Sequence, residues 1–343
     1  MRVIFARNMG FCFGVQRAVD MALSQCENGQ VYTYGQIIHN ESVVEDLKRK
    51  GIVPIERVET LNEGDTLIIR AHGAPPQLFF DCERRGIRMI DATCPFVKRI
   101  HSIVRRARDE GIKVYIAGKK AHPEVIGTAG WAGEGCVILE SAADAKGVES
   151  GERGCLVAQT TLDAELFEAI AAELLERISA LDIQRTICDT TVMRQREARE
   201  LSKICTRMLI LGSENSANTR ALQKICQKSC PKCKTIENIG KIMLENFETD
   251  DIIGIVAGAS APDPMIREVK QVMSELENTT IETNEAEAPA EVVAETTETV
   301  VTEEPAAEEV TVAEEPAAEP AARDRSSGRG SQGGGCRRAR DRS

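Results

Sequence analysis

Three times along the 343-residue chain a strand-like apolar run ends in glycine, and each time the residue four places beyond that glycine is polar. VYTYGQIIHN puts His39 after Gly35, KVYIAGKKAHPE puts His122 after Gly118, and RMLILGSENSANT puts Ser216 after Gly212. The third run of each group again ends in small polar residues: TLIIRAHG with His72, CLVAQTT with Thr160, and IIGIVAGASAP with Ser260. Between the runs lie stretches of helical periodicity, such as Val15, Ala18, Val19, Ala22, Leu23 and Cys26, or Phe96, Ile100, Ile103, Val104 and Ala107. Short β-type runs alternating with amphipathic helices predict an α/β chain with mainly parallel strands. Gly29 and Gly111 are placed to end those two helices.

The last run of each group leads to a cysteine. IRMIDATC ends at Cys94 and DIQRTIC at Cys188; the third group needs the N-terminal run VIFARNMGFC, ending at Cys12, to close the set. The spacing therefore predicts three modules of about four strands. They comprise residues 14–94, residues 95–187, and residues 188–280 together with 1–13. Each contributes one cysteine and two polar side chains from the C-terminal ends of parallel strands, the edge where such sheets bind ligands. Each cysteine also stands directly before a helical stretch, where unpaired N–H groups and the helix dipole favour a thiolate. Three thiolates from separate modules suit an iron-sulfur cluster with one iron lacking a protein ligand, which is a Lewis acid open to substrate.

GFCFGV, IIHN, AHG, DATCPFV, AHPEV, QTT, GSENSANT and GASAP occur in this order between residues 1 and about 275. In motifs and spacing the chain resembles the 4-hydroxy-3-methylbut-2-enyl diphosphate reductases, which catalyse the last step of the methylerythritol phosphate route to isoprenoids. The resemblance implies a trefoil of three pseudo-repeated α/β modules around one 4Fe-4S cluster held by Cys12, Cys94 and Cys188. It also implies that His39, His72, His122, Ser216, Asn218 and Ser260 hold the diphosphate, with Thr160 near the substrate hydroxyl and Glu124 in the proton relay. Ala217 departs from the pattern, since some relatives place a second Ser there.

The implied reaction removes the hydroxyl of an allylic diphosphate as water, with electrons from a low-potential donor such as ferredoxin or flavodoxin. Protonation at either end of the allyl unit gives isopentenyl or dimethylallyl diphosphate. Imidazoles, hydroxyls, an amide and backbone N–H groups supply directional donors to the diphosphate. The histidines are expected to be protonated there, because a bound anion raises their pKa.

Charge narrows the possible partners. Residues 281–343 carry 15 acidic residues and 7 arginines, a balance of −8 out of −11 for the whole chain. The body is thus nearly neutral, with no basic face for nucleic acid. Residues 281–322 are mainly Glu, Ala, Thr, Val and Pro, followed by an Arg- and Gly-rich end with Cys336. Such a tail has too little apolar surface to offset the entropy of ordering, and predicts disorder. The absence of an export signal or membrane-length apolar run predicts a cytoplasmic protein, in which twelve cysteines remain reduced.

Other cysteines compete for a role. Cys226, Cys230 and Cys233 have the spacing C-x3-C-x2-C, as in the cluster loop of radical S-adenosylmethionine enzymes, and Cys205 is an available fourth zinc ligand. That loop usually follows an early barrel strand, whereas here the segment follows helical ALQKICQKS, so ordinary solvent-facing or semi-buried thiols are the expected reading. Cys26, Cys82, Cys136, Cys155 and Cys205 sit in apolar patterns as small hydrophobes. His101 lies inside a basic amphipathic helix without an assigned role, and Ser216, Asn218 and Ser260 are alternatively helix caps. A non-catalytic electron carrier would not need the His, Ser, Thr and Asn set, and a cluster-dependent hydro-lyase would need no electron donor.

Overall fold

The structure is a computed structural model that describes residues 1–26 and 30–287. In chain order the first elements are β1 (Arg2–Phe5), α1 (Phe13–Cys26), β2 (Val31–Tyr34), α2 (Glu41–Arg49), β3 (Ile52–Ile55), β4 (Thr66–Ile69), α3 (Pro76–Arg84) and β5 (Arg88–Asp91). Next come α4 (Pro95–Asp109), β6 (Lys113–Ala117), α5 (Pro123–Ala132), β7 (Val137–Leu139), α6 (Ala142–Lys146), β8 (Gly151–Ala158), α7 (Ala164–Leu175) and β9 (Ile178–Ile183). The chain continues through α8 (Asp189–Ser202), β10 (Arg207–Leu211), α9 (Ala217–Gln227), β11 (Cys233–Ile236), α10 (Ile239–Met243), β12 (Ile252–Ala257) and α11 (Asp263–Glu287).

The strands form three four-stranded sheets in the orders β3-β2-β4-β5, β7-β6-β8-β9 and β11-β10-β12-β1. Every strand pairing among the described residues is parallel. Each sheet thus repeats one topology: the Gly-ended strand lies second, the strand with the small polar terminus third, and the strand leading to a cysteine at the edge. The third sheet closes only when β1 pairs with β12 in the register Arg2↔Ile252 to Phe5↔Ile255. A contact between residues so distant in sequence carries a loop-closure entropy cost that local pairings do not.

Apolar runs explain the central strands. Leu67, Ile68 and Ile69 of β4 and Met208 through Leu211 of β10 are fully buried, as parallel strands covered on both faces require. The helices cover these faces with ordinary apolar stripes, Val97, Ile100, Val104 and Ala107 on α4 for example. Helix α8 is different: it buries Thr191, Arg194, Gln195, Ala198 and Ser202, while Val192 and Met193 are exposed.

Gly111 adopts φ +70° just after α4, as a helix-ending glycine should, whereas Gly29 lies outside the described residues. A disordered tail is expected to begin at residue 281, but helix α11 continues through that point to Glu287, because the helical run does not stop where the composition changes; the rest of the expected tail, 288–343, lies outside the described residues. Among the described residues no helix is long and apolar enough to cross a membrane.

Candidate active site

Parallel strands all point their C-terminal ends the same way, and the loops leaving those ends in all three sheets line one cavity. Cys12, Cys94 and Cys188 line it, each half-buried at the start of a helix. Their backbone positions are equivalent: the carbonyls of Cys12, Cys94 and Cys188 accept from the N–H groups of Gln16, Lys98 and Val192 at 2.9, 2.9 and 3.0 Å. Gly14 lets α1 approach, since a Cβ there would lie 2.7 Å from Cys94 Sγ and 4.0 Å from Cys12 Sγ. As expected for a helix start, backbone N–H groups of Phe96 and Val97 favour the Cys94 thiolate. Burial outweighs them and pushes this thiol up, with Cys12 and Cys188 adding to the rise.

Among the described residues no three His, Cys, Asp or Glu side chains are arranged to hold a single metal ion. Lining one cavity at three helix starts, the three thiols do fit a polynuclear cluster, whose thiolates bind different irons and stand further apart.

The polar residues singled out in the sequence line the same cavity. His39, His72 and His122 lie side by side, with ring centroids of His39 and His122 at 5.6 and 5.4 Å from that of His72. His122 caps α5 with its ring: Nδ1 accepts from the Glu124 N–H at 3.3 Å, which leaves Nε2 as the nitrogen that carries the proton. Ser216 caps α9 by accepting from the Thr219 N–H at 3.4 Å, so the capping reading holds for this serine. Asn218 and Ser260 make no such cap. Asn218 Nδ2, Ser260 Oγ and His72 Nδ1 are buried without a protein partner among the described residues.

The expected protonation of the histidines is not what the protein alone imposes. Burial lowers the pKa of all three, to about 4 for His122 and well below the usual value for His72. Arg70, itself buried, pushes the same way. At neutral pH the trio is neutral, and each ring is one donor and one acceptor. Glu124 moves in the opposite direction. Burial raises its carboxyl to about 7, against the hydrogen bonds that it accepts from the Thr160 N–H at 2.6 Å and shares with Thr160 Oγ1 at 2.7 Å. A carboxyl poised at that pKa can both hold and release a proton near neutrality.

Sequence reasoning missed two buried cations. Arg70 donates to the Gln36 carbonyl at 3.3 Å, and only a residue without Cβ fits beside it: at Gly35, φ +69°, a Cβ would lie 2.7 Å from the guanidinium carbon. Arg194 lines the cavity from α8, beside the cysteines. Its signal was the inverted pattern of TTVMRQ, polar residues at core spacing, which hydrophobic periodicity passes over.

The remaining cysteines lie elsewhere. Cys205, Cys226, Cys230 and Cys233 are buried in one apolar cluster with Met208, Leu222 and Ile225, not solvent-facing. His101 is also buried, stacked on Trp131 with centroids 5.6 Å apart, and burial lowers it to about 4.

Three parallel α/β sheets converging on a trithiol and a set of unpartnered donors define an α/β enzyme whose centre lies between its modules. Residues 3–274 match the model of the LytB protein family, and the chain belongs to that family of iron-sulfur reductases. It is 41% identical over 281 residues to the 4-hydroxy-3-methylbut-2-enyl diphosphate reductase of Caldanaerobacter subterraneus, covering 80% of this chain and 98% of the relative. The Aquifex aeolicus reductase of the same name is 39% identical over 280 residues, 80% of this chain and 96% of that one. A solved structure of (E)-4-hydroxy-3-methyl-but-2-enyl diphosphate reductase, the terminal enzyme of the non-mevalonate pathway, is 38% identical with a TM-score of 0.59. That match covers 80% of this chain and 100% of the other. The Plasmodium falciparum reductase structure is 26% identical with a TM-score of 0.75, over 79% and 87% of the two chains.

Proposed function

We propose that this chain is a reductase that converts 4-hydroxy-3-methylbut-2-enyl diphosphate to isopentenyl and dimethylallyl diphosphate. The observation that carries the reading is the joint occurrence, in one cavity, of three thiols, a carboxyl with pKa about 7, and buried donors that lack protein partners. Buried polar groups are nearly always satisfied, so orphaned donors at Asn218, Ser260 and His72 call for a ligand rich in acceptors. A diphosphate is such a ligand.

In this reading the three modules are residues 14–94, residues 95–187, and residues 188–280 with 1–13. Cys12, Cys94 and Cys188 would hold one 4Fe-4S cluster with an iron that no protein residue ligates; when bound, it supplies single electrons and a Lewis acid. The diphosphate lies among His39, His72, His122, Ser216, Asn218 and Ser260. Each imidazole donates to it through an N–H, and the buried Arg70 adds long-range positive charge. Thr160 holds the Glu124 carboxyl, and together they face the substrate hydroxyl. The balance is two electrons and two protons in, one C–O bond broken, one C–H bond formed and one water out. Glu124 delivers protons from within the cavity, and the electrons come from a low-potential protein donor such as ferredoxin or flavodoxin.

The test is an anaerobic assay of iron-loaded protein with the allylic diphosphate and a low-potential one-electron donor. Both isoprenoid diphosphates are expected. Absence of product with an intact cluster rejects the reading, and turnover without any donor points instead to a hydro-lyase.

A further inference from the structure

Arg194 is 5% exposed, yet no carboxylate forms an ion pair with it among the described residues. Its Nη2 donates to the Gly10 carbonyl at 2.7 Å, in the loop that carries Cys12. Its Nε and Nη1 are buried with no partner. Burial lowers its pKa, and Cys12, Cys188 and then Glu197 oppose that fall. Glu197 is engaged elsewhere on the same loop, accepting from the Asn8 N–H at 3.0 Å and from Asn8 Nδ2 at 2.8 Å. A buried guanidinium is costly unless an anion compensates it, and two of its donors are left over after the protein has been accounted for. The cavity wall that it shares with the two cysteines is where such an anion belongs.

We propose that Arg194 is a positioning residue for the iron-sulfur group, with its charge and its two unpartnered nitrogens, Nε and Nη1, directed at the sulfurs of the Cys12–Cys188 side, raising the reduction potential of the cluster. This rests on the reading of Cys12, Cys94 and Cys188 as cluster ligands. The physical reason is charge bookkeeping between redox states. Reduction adds one negative charge to a site of low dielectric, and a fixed nearby cation stabilises the more negative state more than the other. Arg is suited to this role because its planar guanidinium stays charged when buried and offers several donors in fixed directions. Its third contact, to Gly10, ties the same side chain to the Cys12 loop, so the cation cannot drift from the sulfurs.

The experiment is potentiometric titration of the cluster, followed by electron-spin resonance, on anaerobically prepared full-length protein without substrate. Iron per chain is measured in every sample. Arg194→Gln should shift the midpoint to a more negative potential, whereas Arg194→Lys, which keeps the charge, should stay close to the parent. Asn8→Ala loosens the Cys12 loop without changing charge and should leave the potential unchanged. Equal potentials in the parent and in Arg194→Gln would overturn the proposal, as would an Asn8→Ala shift as large as that of Arg194→Gln. If Arg194→Gln fails to retain iron, the Lys variant decides: retention supports a requirement for the cation, and loss overturns it. A parent protein that binds no iron would instead defeat the cluster reading itself.

Discussion

Two sets of cysteines divide this molecule. Cys12, Cys94 and Cys188 lie far apart in sequence and follow strands of three different sheets, whereas Cys205, Cys226, Cys230 and Cys233 fall close together and include a motif-like C-x3-C-x2-C spacing. The scattered set lines a cavity with orphaned donors around it. The compact set packs into an apolar core, where the thiols of Cys226, Cys230 and Cys233 rest on the carbonyls of Ala198, Lys232 and Gln223 at 3.9, 3.6 and 3.8 Å. Burial pushes Cys205 up to about 11, far from any thiolate at neutral pH. On the proposed reading, a cavity bordered by helix starts marks the ligand set, and closeness along the chain does not.

The largest effect that would break this contrast comes from the thiols themselves. Changing Cys12, Cys94 or Cys188 to Ser is expected to remove most of the iron and to cut turnover by more than the roughly 100-fold typical of losing an outer partner of a metal site. Cys230→Ala and Cys233→Ala should keep iron and activity, at a stability loss of about 1 kcal/mol. Iron analysis and thermal melts on the same preparations check both halves; iron loss from the second pair would erase the distinction.

Buried carboxyl and buried thiol sharpen it next. Glu124 and Cys226 are both inaccessible, but only Glu124 lies on the cavity. Glu124→Gln should lower kcat by about 10²–10⁴-fold, the usual worth of a positioned proton donor, while iron content stays at the parent level. Cys226→Ala should leave kcat unchanged.

A matched pair of glycines gives a smaller effect. An added Cβ at Gly14 would meet Cys94 Sγ at 2.7 Å, and one at Gly254 would meet Cys205 Sγ at 2.8 Å. Overpacking costs about 1–3 kcal/mol in either place. Gly14→Ala is expected to lose iron affinity as well, measured by chelator competition, and Gly254→Ala only melting temperature.

The repeat that organises both regions was legible in the sequence, because strand-terminal glycines and polar residues recur at fixed offsets. It even required β1 to join the last sheet, which β1 does by pairing with β12. Less was legible where polarity and burial part company. The inward face of α8 carries Thr191, Arg194 and Gln195 because it borders the cavity and the start of α7, where Gln195 Nε2 donates to the Leu162 carbonyl at 2.9 Å. A reading that equates buried with apolar turns that helix inside out. The lowered pKa of the histidines in the protein alone was not legible for a related reason: the motif names the rings but not the burial and the Arg70 charge that lower them.

The smallest effect concerns pH, and it separates two buried groups within the cavity. Glu124 titrates at about 7 in the folded chain and near its ordinary 4.5 when unfolded. Folding therefore retains a proton between these values, so its contribution to stability is complete below 4.5 and is lost as pH rises through 7. His122 has the opposite sign. Its folded pKa of about 4 lies below the ordinary 6.5, so its contribution is present above 6.5 and lost as pH falls through 4. Melting temperatures of Glu124→Gln should then gain on the parent as pH is raised from 5 to 7, and those of His122→Asn should gain as pH is lowered from 6.5 toward 4. The same proton governs turnover, since kcat of the parent should decline above pH 7 as Glu124 ionises and can no longer donate. Parallel pH profiles for the parent and Glu124→Gln would mean that this carboxyl is ionised in the folded protein, and that it behaves as a structural partner of Thr160 rather than as a proton donor.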